Sequence, residues 1–410
     1  MTGAPVAPAT IRPGTIALVP PRYGDDVVGG AEAVIAETAR GLADRGHPVE
    51  ILTTCARDHY TWANHYPEGV SSEGEVVIRR FPTETDTPGV HRERIGARIL
   101  AGEPVDIFDQ QLWVNDSLRV SRLWHHVLDH GPRYRALIFA PYMFWTSYAV
   151  SQVVPGRTMI MPCLHDEPTA RLDIFASMVA GVRGLWFLTD PEAALAASLY
   201  QLPRRTEVVG AGIDLPSGYD PERFRADTGI DGPFIYYAGR REWGKGWSVL
   251  LEAFADLVRQ HPTELRLVTS GVGEVDAPAD IASRVVDLGF VSDERRNDAM
   301  AAAAAYVQPS AMESFSRTVL EAWGAGTPVI ANAASEVVRW HVERSGAGLT
   351  YRGQAELTEA LRFVSDAPDA AARLAAPGRA YVERHYRWAD VLDRMEATLD
   401  AWLPVPVEVP

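Results

Sequence analysis

Short apolar runs alternate with amphipathic stretches along most of this chain. In the first half, Thr15–Pro20, Val49–Thr54, Val76–Phe81, Ala136–Ala140, Thr158–Pro162 and Gly184–Thr189 read as strands. Ala31–Arg45 carries the helical period and stops at Gly46, a residue that takes a left-handed turn at little cost. In the second half the strands are Pro233–Gly239, Leu265–Ser270, Arg284–Leu288, Ala305–Gln308 and Pro328–Ala331. Helices intervene at Trp247–Gln260, Asp293–Ala304 and Ser316–Ala325, and Gly378–Leu403 reads as one long C-terminal helix. Apolar strands separated by helices predict an α/β fold with a helix-covered parallel sheet in each half. The Gly- and Pro-rich segment Gly210–Pro221 between the halves suits a hinge or linker. The longest apolar stretch, 136–154, contains Pro141, Thr146, Ser147, Ser151 and Gln152. Those interruptions make it a buried strand running into a helix, not a membrane span.

Composition narrows the partners. A chain of 410 residues is long enough for two domains with substantial cores. A formal net charge of −15 argues against nucleic acid and against broad attachment to anionic lipid. The basic stretch His91–Leu100 holds Arg92, Arg94 and Arg98, but Glu93 dilutes it, so peripheral membrane contact is not indicated. Two cysteines, Cys55 and Cys163, make no disulfide framework, and a reduced cytoplasm is the simplest reading. The first ten residues lack the charged and apolar regions of a signal peptide.

The chemistry concentrates in the second half. Glu313 and Glu321 stand eight apart, one in the loop after strand Ala305–Gln308 and one inside the helix which that loop opens. Ser314 and Ser316 are placed to cap the helix, whose free N–H groups and dipole favour an anion. Carboxylates on either side of an anion site suit sugar hydroxyls flanking a phosphate. Arg240 and Lys245 lie on the glycine-broken loop Gly239–Gly246, also between a strand and a helix. Two cations so held suit a diphosphate, and a solvated turn is the competing reading. In the first half, Gly29 and Gly30 open the first helix, followed by Glu32. Cys163-Leu-His165-Asp166-Glu167 follows a strand, where His165 can donate to a hydroxyl and Asp166 can orient it. Phe290 and Val291 stand at a strand end, and core packing explains Phe290 equally well. One His with adjacent acids is not a metal-ligand set, so no metal is expected.

The segment Pro309–Ile330, with Glu313-Ser-Phe and Leu320-Glu-Ala before Gly326-Thr-Pro, resembles the donor-site signature of the retaining glycosyltransferases of family 4. The resemblance implies a GT-B fold, with two facing Rossmann-like domains, an interdomain cleft, and a C-terminal helix crossing back to the first domain. It implies an N-terminal acceptor-side domain of residues 1–212 with 386–410, and a donor domain of residues 213–385. It implies metal-independent, cofactor-free transfer of a hexosyl group, with retention, from a nucleotide diphospho-sugar to a hydroxyl acceptor. In that reading His165, Arg240, Lys245 and Glu313 are catalytic. Gly29, Gly30, Gly239, Phe290, Val291, Ser314, Phe315, Ser316 and Glu321 join Arg240, Lys245 and Glu313 in binding the donor, and Glu32 and Asp166 lie on the acceptor side. Ser314 stands where many relatives have Gly, and Arg317 where apolar residues are common. The segment Ser335–His341 is more aromatic than the usual stretch there. A non-catalytic nucleotide-sugar-binding protein and a nucleotide-sugar epimerase are the alternatives.

Overall fold

The computed structural model describes residues 10–27, 29–84, 89–216 and 218–405. The chain divides into two compact units, one of residues 1–211 with 389–410 and one of residues 212–388.

The first unit is built on an eight-stranded sheet. In chain order its strands are β1 (Ile16–Val19), β2 (Val49–Thr54), β3 (Gly69–Glu73), β4 (Val76–Phe81), β5 (Ala136–Phe139), β6 (Thr158–Ile160), β7 (Gly184–Phe187) and β8 (Thr206–Val208). Across the sheet they run β3-β4-β2-β1-β5-β6-β7-β8. β1, β2, β5, β6 and β7 are buried throughout, as strands covered on both faces must be. The expected all-parallel sheet needs one correction, because β3 pairs antiparallel with β4. β3 reads Gly-Val-Ser-Ser-Glu and is mostly exposed. It is an edge strand that buries too little apolar surface to leave a pattern.

The second unit holds a six-stranded parallel sheet of β9 (Phe234–Ala238), β10 (Arg266–Ser270), β11 (Val285–Asp287), β12 (Ala305–Gln308), β13 (Val329–Asn332) and β14 (Gly348–Tyr351). Its order is β11-β10-β9-β12-β13-β14. Strands after β9 add to one side and strands after β12 to the other. The winding therefore reverses between β9 and β12, and the equivalent reversal in the first sheet lies between β1 and β5. Crevices for ligands form beyond the C-terminal strand ends at such reversals.

The long C-terminal helix is in fact two, Ala376–His385 and Trp388–Trp402. The break falls at Tyr386, whose ring is buried against Phe315 and Tyr381 and whose carbonyl accepts from Ile213 N–H at 2.8 Å. The last helix belongs to the first unit. Arg135 reaches Asp400 at 2.6 Å, Trp186 Nε1 donates to Thr398 at 2.8 Å, and Arg183 donates to the Trp402 carbonyl at 2.8 Å. Among the described residues no helix is long and apolar enough to cross a membrane.

Candidate functional site

In the second unit the loops after β9 and β12 meet at the reversal point. Gly246 ends the first loop with φ +71, and a Cβ there would lie 2.3 Å from the Pro309 carbonyl oxygen of the second. Only glycine lets the two loops touch. Gly271 plays the same part beside Gly239, where a Cβ would come within 2.0 Å of a carbonyl oxygen. Lys245 and Glu313, predicted separately from sequence, are joined: Nζ lies 2.9 Å from Oε1. Arg240 pairs with Glu242 at 3.4 Å, and its own carbonyl accepts from the Tyr237 hydroxyl at 2.6 Å. The adjacent Arg241 is buried, bonded to Asp287 at 2.8 Å and to the Gly273 carbonyl at 3.0 Å, so it braces the loop. Phe290 is 68% exposed, which removes core packing as its explanation.

The helix Arg317–Gly324 starts from Ser316 at φ 60 and ψ 60. The capping expected of Ser316 does not occur. Its left-handed backbone makes no side-chain cap bond, and its hydroxyl instead accepts from Gln308 Nε2 at 2.8 Å. The helix thus begins without a side-chain cap, which leaves its positive end suited to an anion. Glu321 lies within this helix, 7% exposed. Its Oε1 is 3.2 Å from Arg317 Nη2 and 3.4 Å from Arg296 Nη2. Its Oε2 is 3.4 Å from the same Arg296 nitrogen, and is buried without a hydrogen bond. Burial would lower the Arg296 guanidinium, but the carboxylates of Glu321 and Asp293 prevail and hold it above its ordinary value.

His341 explains the aromatic run that sequence left without a role. It is fully buried, with Nε2 3.1 Å from the Phe315 carbonyl and Nδ1 3.0 Å from the Tyr381 hydroxyl. Burial lowers it to about 3, so it stays neutral. A carbonyl only accepts, so Nε2 carries the proton and Nδ1 accepts from Tyr381. His341 therefore fixes the Phe315–Ser316 turn at the head of the helix.

In the first unit Gly29 is extended, and a Cβ on it would lie 2.1 Å from Glu32 Oε2. The glycine makes room for the Glu32 carboxylate, which is locked on the buried Arg22. Gly30 is the first helical residue, with open space where a Cβ would be, and Val28 of the same turn lies outside the described residues. His165 is only partly exposed, with Nδ1 3.4 Å from Glu167 Oε1. Asp166 pairs with Arg171 at 2.6 Å. Sequence reasoning also missed Glu192, buried at the start of helix Asp190–Leu199. One oxygen accepts from Leu164 N–H at 2.7 Å and the other from Leu188 N–H at 2.6 Å. Burial raises its carboxyl to about 8, against the pull of these N–H groups. Glu192 ties down the loop of Cys163, whose φ of 52 is left-handed, and of His165. Thr189-Asp-Pro-Glu192 is a capping box, which was the available signal.

Residues 232–366 match the family described as glycosyl transferases group 1. The second unit carries a glycosyl transferases group 1 domain. A D-inositol 3-phosphate glycosyltransferase of Frankia alni is 29% identical over 87% of this chain and 90% of its own length. Another from Catenulispora acidiphila is also 29% identical, over 96% and 95%. Sucrose-phosphate synthase from Thermosynechococcus elongatus superposes with a TM-score of 0.71 at 18% identity, covering 93% of this chain and 97% of that one. HepE from Anabaena, solved with UDP-glucose, gives 0.68 at 17%, covering 94% and 99%. The fold of this glycosyltransferase is GT-B.

Proposed function

We propose that this glycosyltransferase moves a hexosyl group from a nucleoside diphospho-sugar to a hydroxyl acceptor, with retention and without a metal. The observation that carries the reading is the meeting of the β9 and β12 loops, which joins Lys245 to Glu313 beside an uncapped helix start. Arg240, Lys245 and the N–H groups after Ser316 neutralise the diphosphate as its charge grows in the transition state. Glu313 accepts from sugar hydroxyls and Glu321 from ribose hydroxyls. Gly239 allows close backbone approach, Ser314 and Phe315 shape the turn, and Phe290 and Val291 face the base. The C1–phosphate bond breaks, the acceptor oxygen bonds to C1 on the same face, and the departing phosphate oxygen takes the acceptor proton. On the first unit we assign Gly29 and Gly30 to the donor, His165 to the reacting sugar and Glu32 to the acceptor side, with Glu167, 3.4 Å from His165, as the partner of His165 in place of Asp166.

HepE was solved with UDP-glucose, and a relative of the same fold was solved with UDP-2-fluoro glucose, so UDP-glucose is the first donor to try. The curated relatives carry D-inositol 3-phosphate in their names, so phosphorylated polyols are the first acceptors. The test is UDP release from UDP-glucose with and without acceptor, in the presence of EDTA, with product configuration read by proton NMR. UDP release unaffected by EDTA and an α-linked product support the reading. A β-linked product removes retention, and EDTA inhibition removes metal independence. Binding with no turnover leaves the non-catalytic binder, and a sugar epimer as product leaves the epimerase.

A further inference from the structure

Arg317 occupies a position that ordinary helix electrostatics disfavours. It is the first residue of helix Arg317–Gly324, so its cation sits at the positive end of the dipole. Its side chain is largely covered, 16% exposed, and reaches one turn forward along the helix onto Glu321. Nη2 is 3.2 Å and Nε 3.4 Å from the same oxygen, Oε1. Arg296, from helix Asp293–Ala302, adds a second cation to that carboxylate at 3.4 Å and is held on its other side by Asp293 at 2.7 Å. The remaining oxygen, Oε2, is buried without a hydrogen bond. Apart from the long ion pair with Arg296 at 3.4 Å, this buried oxygen has no hydrogen-bond donor among the described residues, and it marks a place where a ligand's O–H groups belong.

We propose that Arg317 is a donor-discriminating residue that exchanges Glu321 for the diphosphate of the incoming nucleotide. The inference rests on the reading that Glu321 receives the ribose. A ribose diol offers two O–H donors, and Oε1 is already taken by Arg317. Seating the diol on both oxygens requires Arg317 to leave. The anion that compensates for its departure is the phosphate at the start of its own helix, and a guanidinium grips phosphate with two parallel N–H bonds. A nucleoside without phosphates has to break the Arg317–Glu321 pair and returns nothing. Arg296 has no such exchange to make, being braced by Asp293 as well as Glu321. It positions Glu321 in both states. Arg317 therefore makes the site select for diphosphates over nucleosides, by a penalty that only the diphosphate repays.

The test is calorimetric titration of the full chain with UDP and with uridine, and in parallel with GDP and guanosine. Wild type is compared with Arg317→Gln, Arg296→Gln and Glu321→Gln, each checked for folding by circular dichroism. Arg317→Gln is expected to weaken the diphosphate roughly ten-fold and to strengthen the nucleoside several-fold, so the ratio collapses. Arg296→Gln is expected to weaken both by a similar factor. An Arg317→Gln protein that keeps the wild-type ratio overturns the proposal, whether both affinities fall together or neither moves. If Arg317→Gln does not fold, Arg317→Lys keeps the charge without the fork and must still lower the ratio. Glu321→Gln separates the two levels. If it weakens the diphosphate while Arg317→Gln leaves the ratio intact, the ribose reading stands and only the exchange is wrong. Unchanged affinity in Glu321→Gln, or wild type binding neither diphosphate, overturns both.

Discussion

The two units place their distinctive residues at the same topological position and use it differently. In the second unit, the loops at the sheet reversal carry charge toward solvent: Lys245 is 32% exposed in its pair with Glu313, and Arg240 33% exposed beside Glu242. In the first unit, the turn after β1 covers most of its charge, with the buried Arg22 paired to a Glu32 side chain only 12% exposed beside Gly29. Partly exposed cations exchange one anion for another at small cost, whereas opening a pair on a buried cation strands that charge. On the proposed function, the second unit takes the diphosphate and the first takes neutral hydroxyls.

The largest expected effect follows from that contrast. Lys245→Ala should lower kcat/KM by about 10²–10³-fold, the scale for losing one preorganised charge-stabilising group. Near-normal turnover in that variant would erase the distinction between the units. His341→Ala comes next. It leaves the Phe315 carbonyl and the Tyr381 hydroxyl without their shared partner in a fully buried site, at a cost of about 2–3 kcal/mol. Chemical denaturation should show it, and a change within error would mean that His341 is only packing.

Glu192 sharpens the comparison through pH. Its folded-state carboxyl, at about 8, lies above the ordinary 4.5. Between those values the folded protein keeps a proton that the unfolded chain releases. This contribution to stability is complete below 4.5 and is lost as pH rises toward 8. The wild type should lose on the order of 1 kcal/mol per pH unit across that window relative to Glu192→Gln, which has no proton to release. Parallel stability curves would show that Glu192 is ionised when folded. The smallest effect is expected at Phe290. Because it is exposed, Phe290→Ala should leave the melting temperature unchanged, while stacking on a base predicts a loss in nucleotide affinity of about 1 kcal/mol. A destabilised protein with full affinity would return Phe290 to a packing role.

These contrasts were unequally visible in the sequence. Strands buried on both faces, such as β1, β2 and β9, leave apolar runs and were legible. The edge strands β3, β8 and β14 were not, because they bury little. Lys245, Glu313 and Glu321 stood out because glycine-broken loops and a strand-to-helix turn frame them in the chain. Their partners did not. Arg296 meets Glu321 from a helix that starts before β12, and His341 reaches Phe315 across a bonded pair 26 residues apart. Such groups become visible only when the fold joins distant segments. Ser316 failed as a cap for a local reason: its left-handed backbone turns the hydroxyl toward Gln308.

The central claim is that the second unit alone carries the diphosphate-binding charges. Calorimetric titration of UDP into the wild-type chain and into Lys245→Ala, Arg240→Ala and Arg22→Gln, each verified as folded, tests it most directly. The account predicts binding to wild type, a loss of at least ten-fold in the Lys245 and Arg240 variants, and little change in the Arg22 variant. UDP bound equally well without Lys245 and Arg240, or lost with Arg22, would contradict it.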